Sequence, residues 1–292
     1  MDALPERPDL TRPRQVRDLL ARHGIWLTKA MGQHLLVDGD VLRQIVDAAA
    51  LPPEAEVLEV GPGVGALTAE LARYARRVVA VELDPRLLAV LRETVPAPNV
   101  EIVNADALEI DLGALFGGRP YDVVANLPYG VATPLIRKLL YAPPEASPDD
   151  VVVMLQREVA HRLAAPPGDM SRLSVEAQLV ADVDVLFEVG PQSFFPPPEV
   201  SSAVVRLRPL HGYRVPPLPN DQRFFQTVNA GFRHRRKQLH NALGELGVGT
   251  ERIDTALASA SIDPKRRAET LTLEEWSRLS AALWTGPALR ST

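Results

Sequence analysis

Apolar and polar positions along the first two-thirds of the chain predict strands and helices in alternation. Short runs rich in valine, isoleucine and leucine are separated by stretches with the spacing of amphipathic helices. Continuous apolar runs that alternate with helices indicate a parallel sheet covered on both faces. The predicted strands are EVLEV (56–60), RVVAVEL (77–83), VEIVNA (100–105), YDVVAN (121–126), VVVML (151–155), VDVLFEV (183–189) and SAVVRLR (202–208).

The pattern changes after about residue 210, where the strand-like runs stop and helical spacing continues. We predict an α/β fold, a doubly wound, mostly parallel, Rossmann-like seven-stranded sheet whose last two strands are antiparallel, with a small C-terminal all-α domain. The predicted domains are an N-terminal extension (1–24), the sheet domain (25–210) and the helical domain (211–292). The predicted helices span 13–23, 40–50, 65–74, 85–94, 134–141, 221–243, 251–260, 264–269 and 273–284.

The composition excludes several kinds of chemical site and points to one kind of partner. The 292 residues include no cysteine, which excludes disulfides, thiolate metal sites and thiol catalysis, and the six histidines lack metal-ligand spacing. With no signal peptide or apolar run of membrane-spanning length, we expect a cytoplasmic protein with no membrane contact. The net charge of −5 conceals an asymmetry, because residues 201–292 carry 14 basic against 8 acidic side chains. This basic end predicts an anionic partner.

A glycine-rich loop follows the first strand of the predicted sheet. It reads Glu59-Val-Gly61-Pro-Gly63-Val-Gly, which is neither the dinucleotide-binding spacing nor a Walker motif. Glu82 ends the next strand, where a carboxylate can accept hydrogen bonds from ribose hydroxyls. Asp106 follows the third strand, where its carboxylate could accept a hydrogen bond from the exocyclic amine of an adenine. Because the acidic Glu59 disfavours a pyrophosphate, we favour S-adenosylmethionine, a sulfonium cation, over NAD. A tight turn without a ligand is the alternative.

The fourth strand ends in Asn126-Leu127-Pro128-Tyr129. An adenine N6 amine is a poor nucleophile, and a site that methylates it should accept hydrogen bonds from both amine protons. The Asn126 side-chain carbonyl and a backbone carbonyl of Leu127 or Pro128 are suited to this, and Tyr129 to stacking on the base. Catalysis would then rest on positioning and preorganised dipoles. The alternative is a capped β-turn with no catalytic role.

Over residues 25–285 the chain resembles the KsgA/RsmA-type small-subunit rRNA adenine N6,N6-dimethyltransferases, which are class I methyltransferases. The resemblance implies S-adenosylmethionine as cofactor and two adjacent adenosines in the 3′-terminal hairpin of small-subunit (16S) rRNA as substrate. It also implies that Phe194 faces the target base opposite Tyr129. The matching segments are Gly32–Leu36, Glu59–Gly63, Val81–Asp84, Asn126–Tyr129, Leu155–Val159, Phe194–Leu207 and Phe232–Lys237. The implied cofactor-binding residues are Gln33, His34, Leu36, Glu59, Gly61, Gly63, Glu82, Leu83, Asp106, Ala107 and Asn126.

A basic cluster lies within the predicted helix 221–243. Helical spacing would place Arg233, Lys237 and His240 on one flank with Arg236 beside them. We predict that this stripe contacts RNA phosphates; the alternative is an ordinary solvated helix face. The predicted RNA-binding residues are Arg157, Arg233, Arg235, Arg236 and Lys237.

The sequence therefore predicts an rRNA adenine N6,N6-dimethyltransferase of ribosome biogenesis. Its expected partner is rRNA within an immature small subunit, and we expect a monomer. Two alternatives stay open: a large-subunit rRNA adenine methyltransferase of the macrolide-resistance type, and an assembly factor whose main role is binding. A DNA adenine methyltransferase is disfavoured, since those usually have Asp/Asn-Pro-Pro-Tyr at the turn.

Overall fold

The chain divides into two compact units in a computed structural model that describes residues 8–26, 34–210, 212–216, 220–234 and 236–284. The first unit takes in the residues up to Ala160 together with Asp182–Pro209. The second takes in His161–Ala181 and the residues from Leu210 onward. The sequence placed the whole of residues 25–210 in the sheet domain, whereas His161–Ala181 belongs to the helical unit.

A seven-stranded sheet forms the centre of the first unit, in the order β4-β3-β2-β5-β6-β9-β7. Its strands β2 to β6 pair in parallel, β9 runs antiparallel to β6, and β7 lies at the edge beside β9. The remaining two strands, β1 and β8, form a small antiparallel sheet. The strands are β1 (Leu35–Leu36), β2 (Glu56–Val60), β3 (Arg77–Glu82), β4 (Val100–Asn104), β5 (Asp122–Asn126), β6 (Asp150–Gln156), β7 (Ala181–Val189), β8 (Phe194–Phe195) and β9 (Ser202–Pro209).

This topology confirms the predicted fold class, and the strands of the large sheet lie within two residues of their predicted bounds. The prediction succeeds because the central strands are buried on both faces. All five residues of β2 and the five interior residues of β6 are buried. The interior of β6 is a continuous apolar run, whereas β2 combines Val57, Leu58 and Val60 with two buried glutamates.

The parallel pairing brings the predicted site residues to one edge of the sheet. Adjacent strands β3, β2 and β5 end at Glu82, Val60 and Asn126, and β4 ends two residues before Asp106. Because parallel strands end at the same edge, the loops that follow them form the crevice in which such sheets bind ligands.

The helices of the first half of the chain agree with the predicted spans, although α3 is shorter than predicted. Two helices, α6 and α7, were not predicted. Helix α7 starts with a capping box between Ser171 and Ser174, in which Ser174 takes the position that a glutamate or glutamine usually holds. In the described residues, no helix has the length and apolar character needed to cross a membrane. The helices are α1 (Pro13–Arg22), α2 (Gly39–Ala49), α3 (Ala66–Leu71), α4 (Leu87–Thr94), α5 (Ala132–Leu140), α6 (Arg157–Leu163), α7 (Arg172–Val180), α8 (Asp221–Phe232), α9 (Leu239–Leu243), α10 (Thr250–Ser259) and α11 (Leu273–Trp284).

The predicted single helix over 221–243 is wrong. Helix α8 ends at Phe232, just after Gly231, where a Cβ atom would lie 2.4 Å from the buried ring of Trp276. The chain then turns and starts α9 at Leu239, whose N–H donates to the carbonyl of Arg266. These tertiary contacts override the continuous helical spacing.

The segment that receives this hydrogen bond also differs from its prediction. A helix was predicted over 264–269, but only a short 3₁₀ turn forms there, at Ala268–Thr270. The carbonyl of Pro264 accepts the N–H of His240, and that of Arg266 accepts the N–H of Leu239. The carbonyls of this segment therefore accept hydrogen bonds from the first residues of α9 and do not form a helix of their own.

Candidate active site

The glycine loop after β2 has a backbone that requires glycine. Gly61 and Gly63 adopt φ values of +72° and +61°, in the left-handed region that residues other than glycine rarely occupy. A Cβ atom on Gly61 would lie 3.0 Å from Pro128, and one on Gly63 would lie 2.8 Å from Leu35. The loop therefore lies directly against the Asn126–Tyr129 turn on one side and against β1 on the other.

Two cavities open along this edge of the sheet, and both are lined by Gly61, Glu82 and Pro128. The first has a volume of about 100 Å³ and extends from the glycine loop to the turn after β5. The second, of about 450 Å³, extends past Glu82 to the loop after β4. Their shared walls make one cleft, and its larger part falls within the size range of small-molecule sites. Its first part is lined by predicted residues His34, Leu36, Glu59, Gly63 and Asn126–Tyr129, and its second by Leu83, Asp106 and Ala107.

Two buried carboxylates lie in the wall of the cleft. Glu82 is 6% exposed; its Oε2 accepts the N–H of Gly63 at 3.2 Å and its Oε1 that of Asp84 at 2.9 Å. Glu59 is 2% exposed, and its Oε2 has no hydrogen-bond partner among the described residues. The only lysine or arginine in the described lining, Arg86, is paired with Asp84 at 2.6 Å.

Burial raises the pKa of both carboxyl groups. It raises the pKa of Glu59 to about 8, and the negative charge of Glu82 adds to the effect. For Glu82 the pKa is also raised, first by burial, while the two backbone N–H donors oppose the rise. A cation that enters the cleft would favour the ionised form of both groups.

A lysine that the sequence analysis missed holds the loop after β4. Nζ of Lys138, on α5, donates to the carbonyls of Ala107 at 3.0 Å, Leu108 at 2.9 Å and Ile110. Asp106 accepts the N–H of Leu108 at 2.8 Å, which fixes the start of the same loop. A signal was available, because Lys138 is one of only four lysines in the sequence.

The turn after β5 lies at the opposite wall of the cleft. Asn126 ends the strand and pairs with Met154 of β6, whose carbonyl accepts the N–H of Leu127 at 3.0 Å. The half-buried Tyr129 forms a 2.8 Å hydrogen bond between its hydroxyl and Oγ of Ser202. The carbonyl of Pro128 accepts the N–H of Val131 at 3.1 Å. The turn is therefore held by neighbouring strands on the cleft side of the sheet.

Comparison with known proteins places this arrangement in a family. A family model described as "Ribosomal RNA adenine dimethylase" matches residues 27–284. The chain belongs to this family.

Curated relatives agree. The chain is 43% identical to ribosomal RNA small subunit methyltransferase A of Geobacillus thermodenitrificans, over 94% of this chain and 97% of the relative. It is 41% identical to the protein of that name in Bacillus mycoides, over 94% and 97%. The crystal structure of the 23S rRNA methyltransferase ErmE has a TM-score of 0.66 and 31% identity, over 85% of this chain and 98% of that one. The crystal structure of a dimethyladenosine transferase from Plasmodium falciparum has a TM-score of 0.67 and 25% identity, over 83% of this chain and 94% of that one.

Phe194, which the resemblance assigns to the target base, is 4% exposed and belongs to the hydrophobic core. It pairs with Leu36 across the small sheet. Among the described residues, the ring of His34 lies beside that of Tyr129, with centroids 5.7 Å apart. The role of Phe194 at the target base stays a prediction.

Arg233, Arg236 and Lys237 of the basic cluster lie between α8 and α9 and not on a continuous helix. Arg233 is paired with Glu245 at 3.1 Å, whereas Arg236 and Lys237 are exposed. The hydrogen bonds from α9 bring the exposed Lys265 and Arg267 to the same part of the second unit. In the first unit, Arg157 is exposed and lies 3.5 Å from Glu188. The predicted residues Gln33 and Arg235 lie outside the described residues.

The raised pKa of Glu59 predicts an unusual pH dependence for the ligand-free protein. A carboxyl group whose pKa is higher in the folded chain favours folding at low pH, and this contribution is lost as the pH rises from about 4.5 to about 8. Glu59→Gln keeps the shape and removes the charge. Its stability relative to wild type should rise by roughly 3 kcal/mol between pH 5 and pH 8 in urea unfolding.

Glu54→Gln is the matched control, because the Glu54 side chain is 83% exposed. It should leave the pH profile unchanged. A difference between wild type and Glu59→Gln that stays constant across this pH range would contradict the assignment.

Proposed function

We propose that the chain transfers methyl groups from S-adenosylmethionine to N6 of two adjacent adenosines in the 3′-terminal hairpin of small-subunit rRNA. The observation that carries this proposal is the shared cleft, in which the carboxylates Glu59 and Glu82 and the turn Asn126–Tyr129 line one cavity. The names of the curated relatives support the small-subunit substrate. We further propose that the chain acts as a cytoplasmic monomer on rRNA within an immature ribosomal subunit.

The cleft residues fit this cofactor. Each oxygen of Glu82 accepts one backbone N–H and keeps a lone pair for a ribose hydroxyl, and Asp106 and Leu83 line the part of the cleft suited to adenine. The unpartnered oxygen of Glu59 suits a positive charge, and a cation there should displace its proton. When bound, S-adenosylmethionine supplies an electrophilic methyl group on its sulfonium sulfur.

The turn provides acceptors for the target amine. Asn126 is placed to accept one N6 proton with its side-chain carbonyl. The Pro128 carbonyl uses one of its two lone pairs for the N–H of Val131, so we favour the backbone carbonyl of Leu127 as the second acceptor. Both acceptors favour a pyramidal nitrogen whose lone pair forms the new N–C bond as the S–C bond breaks. The resulting cationic nitrogen loses its proton to water, so no protein base is required.

A second candidate substrate is large-subunit rRNA, because the ErmE structure, a 23S rRNA methyltransferase, covers 85% of this chain. It is less favoured, since the small-subunit relatives are more similar in sequence, at 41–43% against 31% identity. The two substrates are separable by experiment, because each RNA can be supplied alone.

The direct test is nucleoside analysis after incubation with S-adenosylmethionine and undermethylated small subunits. Wild type should yield N6,N6-dimethyladenosine, and Asn126→Ala should lower kcat by about 100-fold through loss of a preorganised acceptor. The exposed Asn229 provides the control Asn229→Ala, with wild-type activity expected. Methylation of naked large-subunit rRNA and not of small subunits would select the second candidate.

The exposed cations between α8 and α9 provide a separate prediction about RNA affinity. If Arg236 and Lys237 contact phosphates, replacing both with alanine should reduce the slope of log K against log salt by about two units. The measurement is RNA binding by filter retention at several salt concentrations. The control replaces Arg14 and Arg17 with alanine, because both side chains are exposed on α1 and the change removes the same amount of positive charge away from the cluster. Equal slopes for wild type and the Arg236/Lys237 variant would exclude the cluster as a phosphate site.

A further inference from the structure

The hydroxyl of the Tyr129 side chain is hydrogen-bonded to the buried hydroxyl of Ser202. Oγ of Ser202 lies 2.8 Å from the Tyr129 hydroxyl, and Ser202 is fully buried at the start of β9. Burial raises the pKa of the Tyr129 phenol, so both partners are neutral at pH 7. The contact is therefore a hydrogen bond that orients the ring and involves no transfer of charge.

The backbone restraints at this turn act on the main chain of Tyr129 and not on its ring. Pro128 has a fixed φ, and its carbonyl accepts the N–H of Val131 on the far side of Tyr129. The side-chain torsions of Tyr129 stay free of these restraints. The orientation of the ring is therefore set by contacts of the side chain.

Ser202 is held rigidly relative to the catalytic turn. It pairs with Gln156 of β6, and two residues earlier on the same strand Met154 pairs with Asn126 of β5. The chain from Asn126 across β6 to Ser202 thus consists of hydrogen-bonded central strands, the most precise support that a fold offers a functional group.

A second contact restrains the ring from the side of the small sheet. The imidazole of His34 lies against Tyr129, and Nδ1 of His34 lies 2.8 Å from the carbonyl of Pro196, to which it donates. The Tyr129 side chain is thus fixed at its hydroxyl by Ser202 and along its ring by His34. Of these two, only Ser202 contacts the hydroxyl.

We propose that Ser202 is a positioning residue for methyl transfer, which acts by fixing the Tyr129 ring in the orientation that receives the target adenine. This inference rests on the proposed function. Phosphate contacts made elsewhere dominate RNA affinity, so a misoriented ring should affect the step in which the base is positioned. Loss of Ser202 should lower kcat and leave the KM values for RNA and cofactor nearly unchanged.

A double-mutant cycle with Tyr129→Phe tests the inference, because phenylalanine keeps the ring and removes only the hydroxyl. Ser202→Ala and Tyr129→Phe should each lower kcat about five- to tenfold, the factor that corresponds to one hydrogen bond. The double variant should be no slower than Tyr129→Phe alone. Ser202→Thr, which keeps a hydroxyl, should recover most of the activity, and the neighbouring Ser201→Ala should match wild type.

Thermal unfolding of each variant separates positioning from folding, since a structural role alone would lower the melting temperature without a selective change in kcat. Wild-type kcat in Ser202→Ala would overturn the proposal. So would an equal loss from Ser202→Ala in the wild-type and Tyr129→Phe backgrounds. If wild type itself forms no N6-methylated adenosine, the proposed function fails, and this inference fails with it.

Discussion

The burial of two carboxylates, with no free lysine or arginine among the described residues that line the cleft, is the constraint on which the site depends. Glu59 and Glu82 lie in the wall of one cleft, and the arginine at its rim is already paired with Asp84. Buried charge without a partner is costly, and here the raised pKa of Glu59 lets the ligand-free protein keep that group neutral. A cationic ligand compensates the ionised carboxylate and should displace its proton, so the cleft favours a positively charged ligand over a neutral one.

The rest of the first unit serves to assemble this cleft. Parallel strands bring residues more than 40 positions apart to one edge, and glycines at positive φ let the loop after β2 approach Pro128 and Leu35 closely. Strands β5 and β6 hold Asn126, and β9 holds Ser202, so the groups that orient the target base are built on hydrogen-bonded backbone. Rigid positioning of this kind suits a reaction that needs alignment and no general base.

Local patterns in the sequence predicted the strands, the glycine loop and the Asn126–Tyr129 turn, because each is specified by neighbouring residues. The break between α8 and α9 depends on the packing of Gly231 against Trp276, and the burial of the Phe194 side chain depends on its pairing with Leu36. Ser202 contacts Tyr129 across 73 residues of sequence. Spacing along one chain carries no signal for such long-range contacts, which is why sequence analysis missed them.

The most direct measurement of the central claim is calorimetric titration of S-adenosylmethionine at pH 7 in buffers of different ionisation enthalpy. With the pKa of Glu59 near 8 in the empty cleft, binding should release more than half a proton per cofactor molecule in wild type. Glu59→Gln should bind without that release. Binding by wild type with no proton release, or an identical release in the two proteins, would contradict the account.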